Sequence, residues 1–148
     1  MAIRKLNMVG LYSAMTTPHI NGETATILIT HVVKESIGTG DILEIAALPA
    51  DMKLVDVVLD TEGTGAANLT VGFMSGNPND ADAARTSGSE LFSAVPAGTE
   101  AKAPIKALAN IARSDGNRSI GLKTSAAISA GKIHLRLIYG AQPTQNTN

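Results

Sequence analysis

Residues 23–33 alternate with a period of two: Ala25, Ile27, Ile29 and Val33 take one side, and Thr24, Thr26 and Thr30 the other. Successive side chains of a strand point to opposite faces, so this run of β-branched residues predicts a strand with one buried face. The stretch 42–60, "ILEIAALPADMKLVDVVLD", reads as two apolar alternating runs joined by Leu48-Pro49-Ala50-Asp51, with Val55, Val57 and Leu59 set against Asp56 and Asp60. Leu69, Val71 and Phe73 repeat the pattern against Asn68 and Thr70. The cleanest run is the last, where Ile133, Leu135, Leu137 and Tyr139 alternate with Lys132, His134 and Arg136. Burying each Ile, Leu or Val contributes roughly 1.5–3 kcal/mol, so a one-residue slip in any of these strands is costly.

Between the runs lie Gly38-Thr39-Gly40-Asp41, Thr61-Glu62-Gly63-Thr64-Gly65, Asp115-Gly116-Asn117 and Ala130-Gly131. Gly and Asn supply positive φ at little cost, and the two Gly-x-Gly pairs read as hairpin turns. Strands recurring at this spacing predict an all-β fold, an antiparallel β-sandwich or barrel. Residues 75–98 are small, polar and turn-rich, a long surface excursion with room for a short helix. Residues 102–113 fit two periods: Ile105, Leu108, Ile111 and Ala112 share a helix face, whereas Ile105, Ala107, Ala109 and Ile111 share a strand face. Alanine content favours the helix and the β context the strand, and the strand is the expectation.

The ends differ from the middle. "GLYSAMTTPHING" near the start has no sustained period, and "AQPTQNTN" is an uncharged polar tail. The organisation expected is an N-terminal strand or arm over residues 1–22, one sandwich domain over 23–140 and a flexible C-terminal tail over 141–148.

The chain has 148 residues, enough for one domain with a sizeable core. Hydrophobic residues are 44% and charged residues only 17%, below the usual quarter, so much of the surface is either uncharged or covered by another protein. A net charge of -1 argues against nucleic-acid or membrane-surface binding, which needs clustered cations. Arg4-Lys5 is too small a cluster for either. Cysteine is absent, which removes disulfides, thiolate metal sites and cysteine nucleophiles together. No charged segment followed by an apolar core opens the chain, and synthesis in the cytoplasm is expected.

Candidate chemistry is sparse. His19, His31 and His134 lack the H-x-H spacing with a following Glu that a cupin-type metal site uses. Asn77, Asn79, Asp80 and Asp82 gather hard oxygen ligands in six residues but lack the Gly and terminal Glu of an EF-hand loop. Such Asx-rich turns commonly bond their own backbone. The Gly-x-Gly pairs have no phosphate-binding context, no G-x-S-x-G occurs, and Asp56 and Asp60 read as a solvated strand face rather than a glycosidase pair. No catalytic, cofactor-binding or metal-binding residue is therefore assigned, and no cofactor is expected.

"GDILEIAALPADMKLVDVVLDTEGTGAANLTVGF", residues 40–73, resembles the capsid decoration or cement proteins of tailed bacteriophages: a strand ending in Leu-Pro, a strand rich in Val and Asp, a Gly turn, and a strand closing on Val-Gly-aromatic. "GKIHLRLIYG", ending at residue 140, resembles the C-terminal hairpin that completes the sheet in that group. The resemblance covers under a third of the chain and includes no catalytic signature. It implies a jelly-roll-like sandwich with extended arms and a non-enzymatic role on the outer surface of an icosahedral capsid in the virion. The implied partner is the major capsid protein, with self-association as a dimer or trimer on the shell. Other readings are a tail or head-fibre component, or a jelly-roll carbohydrate-binding module.

Overall fold

The structure, a computed structural model, describes residues 3–5 and 23–141. The strands are β1 (Ile3–Lys5), β2 (Thr24–Val32), β3 (Ile42–Leu48), β4 (Met52–Glu62), β5 (Asn68–Phe73), β6 (Phe92–Pro96), β7 (Ala101–Lys102), β8 (Arg118–Thr124) and β9 (Lys132–Ala141). Among the described residues one short helix, α1, spans Ile105–Ala109. The strands form two sheets, ordered β1-β3-β8-β5-β6 and β2-β9-β4-β7. All pairs are antiparallel except β1 with β3. The fold is an all-β sandwich, as the alternation predicts.

The pairing follows one rule. From β2 onward, β2 pairs with β9, β3 with β8, β4 with β7 and β5 with β6, so residues 24–141 form a long double ribbon, β2 against the last strand, wrapped into two sheets. This is the jelly-roll arrangement of eight strands. It corrects the turns read from the sequence. The Gly38–Gly40 and Gly63–Gly65 turns are not hairpins: each carries the chain from one sheet to the other, as does Leu48-Pro49-Ala50-Asp51. β9 is likewise not half of a terminal hairpin, because β8 lies in the opposite sheet and β9 sits between β2 and β4. Positive-φ glycine serves a sheet-crossing corner as well as a hairpin, so the residue type alone does not distinguish them.

The core fills the space between the sheets. Ile133, Leu135, Leu137 and Tyr139 of β9 are all buried, as alternation requires. β4 departs from its pattern. A bulge between Leu54 and Asp56 shifts the register, so Leu54, Val57 and Leu59 are buried while Val55 is 53% exposed. The extra residue turns the pleat over once, which strict alternation cannot anticipate. β3 does not alternate at all: every residue from Ile42 to Leu48 is buried.

Two further expectations change. Residues 102–113 are not a strand. Lys102 ends the two-residue β7, and a single helical turn follows Pro104, with Leu108 buried and Ile105 exposed. Pro104 has φ -61° and offers no N–H, which ends the ladder with β4 and suits a helix start. Residues 75–98 are not wholly a surface excursion, since Phe92–Pro96 forms β6 and Leu91 and Phe92 are buried. Among the described residues of that stretch no helix occurs. Most of the predicted arms lies outside the described residues; Ile3–Lys5 pairs with β3 and Ala141 ends β9.

Candidate functional site

The outer face of the first sheet is shaped by two glycines. Gly72 of β5 and Gly121 of β8 are register partners, and Gly121 also faces Glu44 of β3. This row is therefore a shallow trough across three strands. A Cβ on Gly121 would stand 2.6 Å from Ser87 Oγ and 2.7 Å from Met74 Cγ, and one on Gly72 would strike the Gly88 backbone. The segment 75–91 lies in that trough, made possible by the absent side chains.

The segment is pinned at its base and at its far end. At the base, Gly88 N–H donates to the Phe73 carbonyl at 2.9 Å, and the Glu90 carboxylate accepts from Phe73 N–H at 3.0 Å. At the far end Arg85, 2% exposed, reaches fully buried Glu44. Its Nη2 lies 3.1 Å from Glu44 Oε1 and its Nη1 3.3 Å from Oε2. The same guanidinium donates to the carbonyls of Ser75 and Asp80 and to Ser119 Oγ. Glu44 in turn accepts from Ser119 Oγ and from Asn79 N–H. Burial works to raise the Glu44 pKa, but the bonds from Arg85, Ser119 and Asn79 outweigh it and hold the carboxyl below its ordinary value. Every charged atom of the pair is satisfied, the condition under which a buried ion pair is tolerated.

The sequence carried a signal for this pair that residue-by-residue reading passes over. Glu44 is a lone charge inside "ILEIAAL", and Arg85 is the only cation between Lys53 and Lys102. A charge within a wholly apolar strand calls for a partner.

The candidate residues of the sequence fall apart in space. Asp80 Oδ1 accepts from Asp82 N–H and Asp82 Oδ1 from Ala84 N–H, so these carboxylates cap their own loop. Among the described residues no group of three or more His, Asp or Glu is arranged to hold a metal. His19 lies outside the described residues. His31 is half-buried in β2, and burial lowers its pKa. His134 sits on the outer face of the second sheet, where its Nδ1 and the Thr30 hydroxyl share a 2.9 Å hydrogen bond and its Nε2 lies 3.8 Å from Glu62. Asp60 accepts from Thr61 N–H. Asp56, half-buried rather than fully solvated, is flanked by Arg136 at 3.3 Å and Lys102 at 3.7 Å.

Two surfaces remain as places for contact. One is a groove of about 450 Å³ between α1 and the first sheet, walled by Phe73, Ala107, Ile111 and the two cations Arg113 and Arg118. Arg118 stacks on Phe73 at 4.5 Å and donates to the Ala112 carbonyl at 3.0 Å, and burial lowers its pKa. The other is the outer face of the second sheet, where Leu28 and Val32 are exposed beside the ladder Lys132–Glu62 and Arg136–Asp56.

No protein-family model matches the chain, nor does any curated protein sequence. Among solved structures, a chain in the capsid of Ralstonia phage GP4 is 27% identical with a TM-score of 0.80, covering 97% of this chain and 100% of that one. A chain in the cyanophage Pam1 capsid asymmetric unit shares the fold at 17% identity and a TM-score of 0.51, covering 84% of this chain and 91% of that one. Nearly end to end, the chain is similar to a component of a phage capsid, and its relationship is to viral structural proteins.

Proposed function

We propose that this protein is a non-enzymatic component of a phage virion that binds the outer surface of the icosahedral capsid and cements contacts between major capsid protein subunits. The observation that carries the reading is the likeness, complete over the other chain, to a component of the Ralstonia phage GP4 capsid. The physics of the molecule supports it. The low charge suits a surface packed against other proteins. The trough-bound segment 75–91 makes the first sheet a rigid base, so that contacts form without ordering a long loop. Repetition over many equivalent shell positions turns modest individual contacts into firm attachment. Residues 1–22 and 141–148 contribute contacts to adjacent subunits, and self-association helps to span them.

The test mixes purified protein with shells of the major capsid protein from the same phage. Saturable co-sedimentation and a raised shell melting temperature are expected, because a ligand selective for the assembled form stabilises it. A folded protein that stays in the supernatant at all ratios overturns the reading.

A further inference from the structure

Sheet edges expose unpaired backbone groups, and proteins guard them with short strands, prolines, charges or bulges. Three of the four edges here are guarded. β1 has three residues and β7 two, the latter ending in Lys102. β6 has five, contains Pro96, carries Ala94 at φ 51° and faces a bulge in its pairing with β5. The fourth edge is β2, nine residues long, with no Pro, Lys, Arg, Asp or Glu. Its one paired side faces β9, and no strand among the described residues lies on the other. Leu28 is 66% exposed and Val32 47% exposed on its outer face.

The sequence of this edge is nearly palindromic. In "TATILITHV" the centre is Leu28, flanked by Ile27 and Ile29, then by Thr26 and Thr30. Two antiparallel copies related by a two-fold axis at Leu28 would set Leu against Leu, Ile27 against Ile29 and Thr26 against Thr30. The remaining pairs would be Ala25 with His31 and Thr24 with Val32. Like β-branched and Thr–Thr cross-strand pairs are favourable, and no two like charges meet. In a two-fold contact residue i of one copy meets residue j of the other and j meets i, so the near-palindrome turns the central pairs into like pairs, a match that a foreign strand would gain nothing from.

We infer that β2 is a self-pairing edge: two copies of this chain join β2 to β2 about a two-fold axis at Leu28, fusing their four-stranded sheets into one of eight. This deepens the self-association in the proposed function, but its test uses the purified full-length protein alone, so it can fail while shell binding succeeds, and the reverse. A nine-residue contact is modest in area, so the dimer should depend on concentration and be reinforced where copies are held close together.

Sedimentation velocity over a concentration series should show a monomer–dimer equilibrium. Leu28→Lys sets like charges opposite each other and should weaken the dimer by about tenfold or more, with unchanged far-UV circular dichroism. The chain lacks cysteine, so Leu28→Cys should oxidise to a covalent dimer, since directly opposed Cβ atoms come within reach of a disulfide. Val55→Cys, exposed on β4, is the control and should not. A monomer at all soluble concentrations with no faster cross-linking at position 28 than at 55 overturns the inference. So does a trimer, or a dimer indifferent to Leu28→Lys.

Discussion

Arg85 and Glu44, 41 residues apart in the chain, form a fully buried ion pair that fastens the segment 75–91 across the outer face of the first sheet. Replacing Glu44 with Ala leaves an unpaired buried guanidinium and should cost about 3–5 kcal/mol. The paired change Glu44→Leu with Arg85→Met should cost clearly less than the two single changes summed. Urea denaturation of the parent, Glu44→Ala, Glu44→Leu, Arg85→Met and the double variant measures both, and additivity of the Leu and Met changes would show that the two residues do not act together.

The same pair should leave its mark on pH dependence. The folded-state pKa of Glu44 lies below its ordinary value of 4.5, so its contribution is complete above that value and is lost as pH falls through the lower folded value. Burial also lowers the pKa of His31 from 6.5, so the unfolded chain binds that proton first and stability declines as pH falls below 6.5. Melting temperature should therefore fall in two stages on acidification. Glu44→Gln should flatten the lower stage, and His31→Gln the upper.

Gly121→Ala should destabilise by about 1–3 kcal/mol, because the added carbon meets Ser87, Met74 and Ile42 together and they cannot all withdraw. Proteolysis should then cut within residues 75–91 faster than in the parent protein. An unchanged cutting rate would show that the trough does not hold the segment.

Ala94 occupies left-handed backbone at φ 51°. That conformation costs an L-residue roughly 1–2 kcal/mol, partly offset by the greater chain freedom of glycine, so Ala94→Gly should stabilise by about 0.5–1 kcal/mol. Thermal unfolding gives the sign directly.

Arg118→Ala removes both the stack on Phe73 and the bond to the Ala112 carbonyl. A loss of about 1–3 kcal/mol is expected, with faster amide exchange in residues 105–113. Lysine at this position should restore little, since it lacks the planar face.

What the sequence makes legible follows from where each signal lives. β9 alternates without interruption, so Ile133, Leu135, Leu137 and Tyr139 declare their buried face directly. β4 hides its bulge because an inserted residue is a backbone event, and Val55 reads as core until the register is known. The sheet-crossing turns are hidden for a related reason: glycine chemistry fixes a local bend, while the destination of the next strand depends on partners far along the chain. The trough escapes notice because Gly72 and Gly121 look like weak points of strands rather than room for another segment. Glu44 and Arg85 are visible singly as misplaced charges, but their match exists only once the chain crosses β8.

The first-to-last pairing of the strands also sets an order in time. During synthesis β1 and β3 are the first partners to be complete and β5 and β6 the next; β4 then waits for β7, β3 for β8, and β2 for the last ten residues of the described chain. Each later pair closes a larger loop before any contact rewards it, which makes folding slow and dependent on the far end. A chain halted before Lys132 would lack the strand that joins β2 to β4 and should remain open to protease, so assembly competence arrives only once β9 has been made.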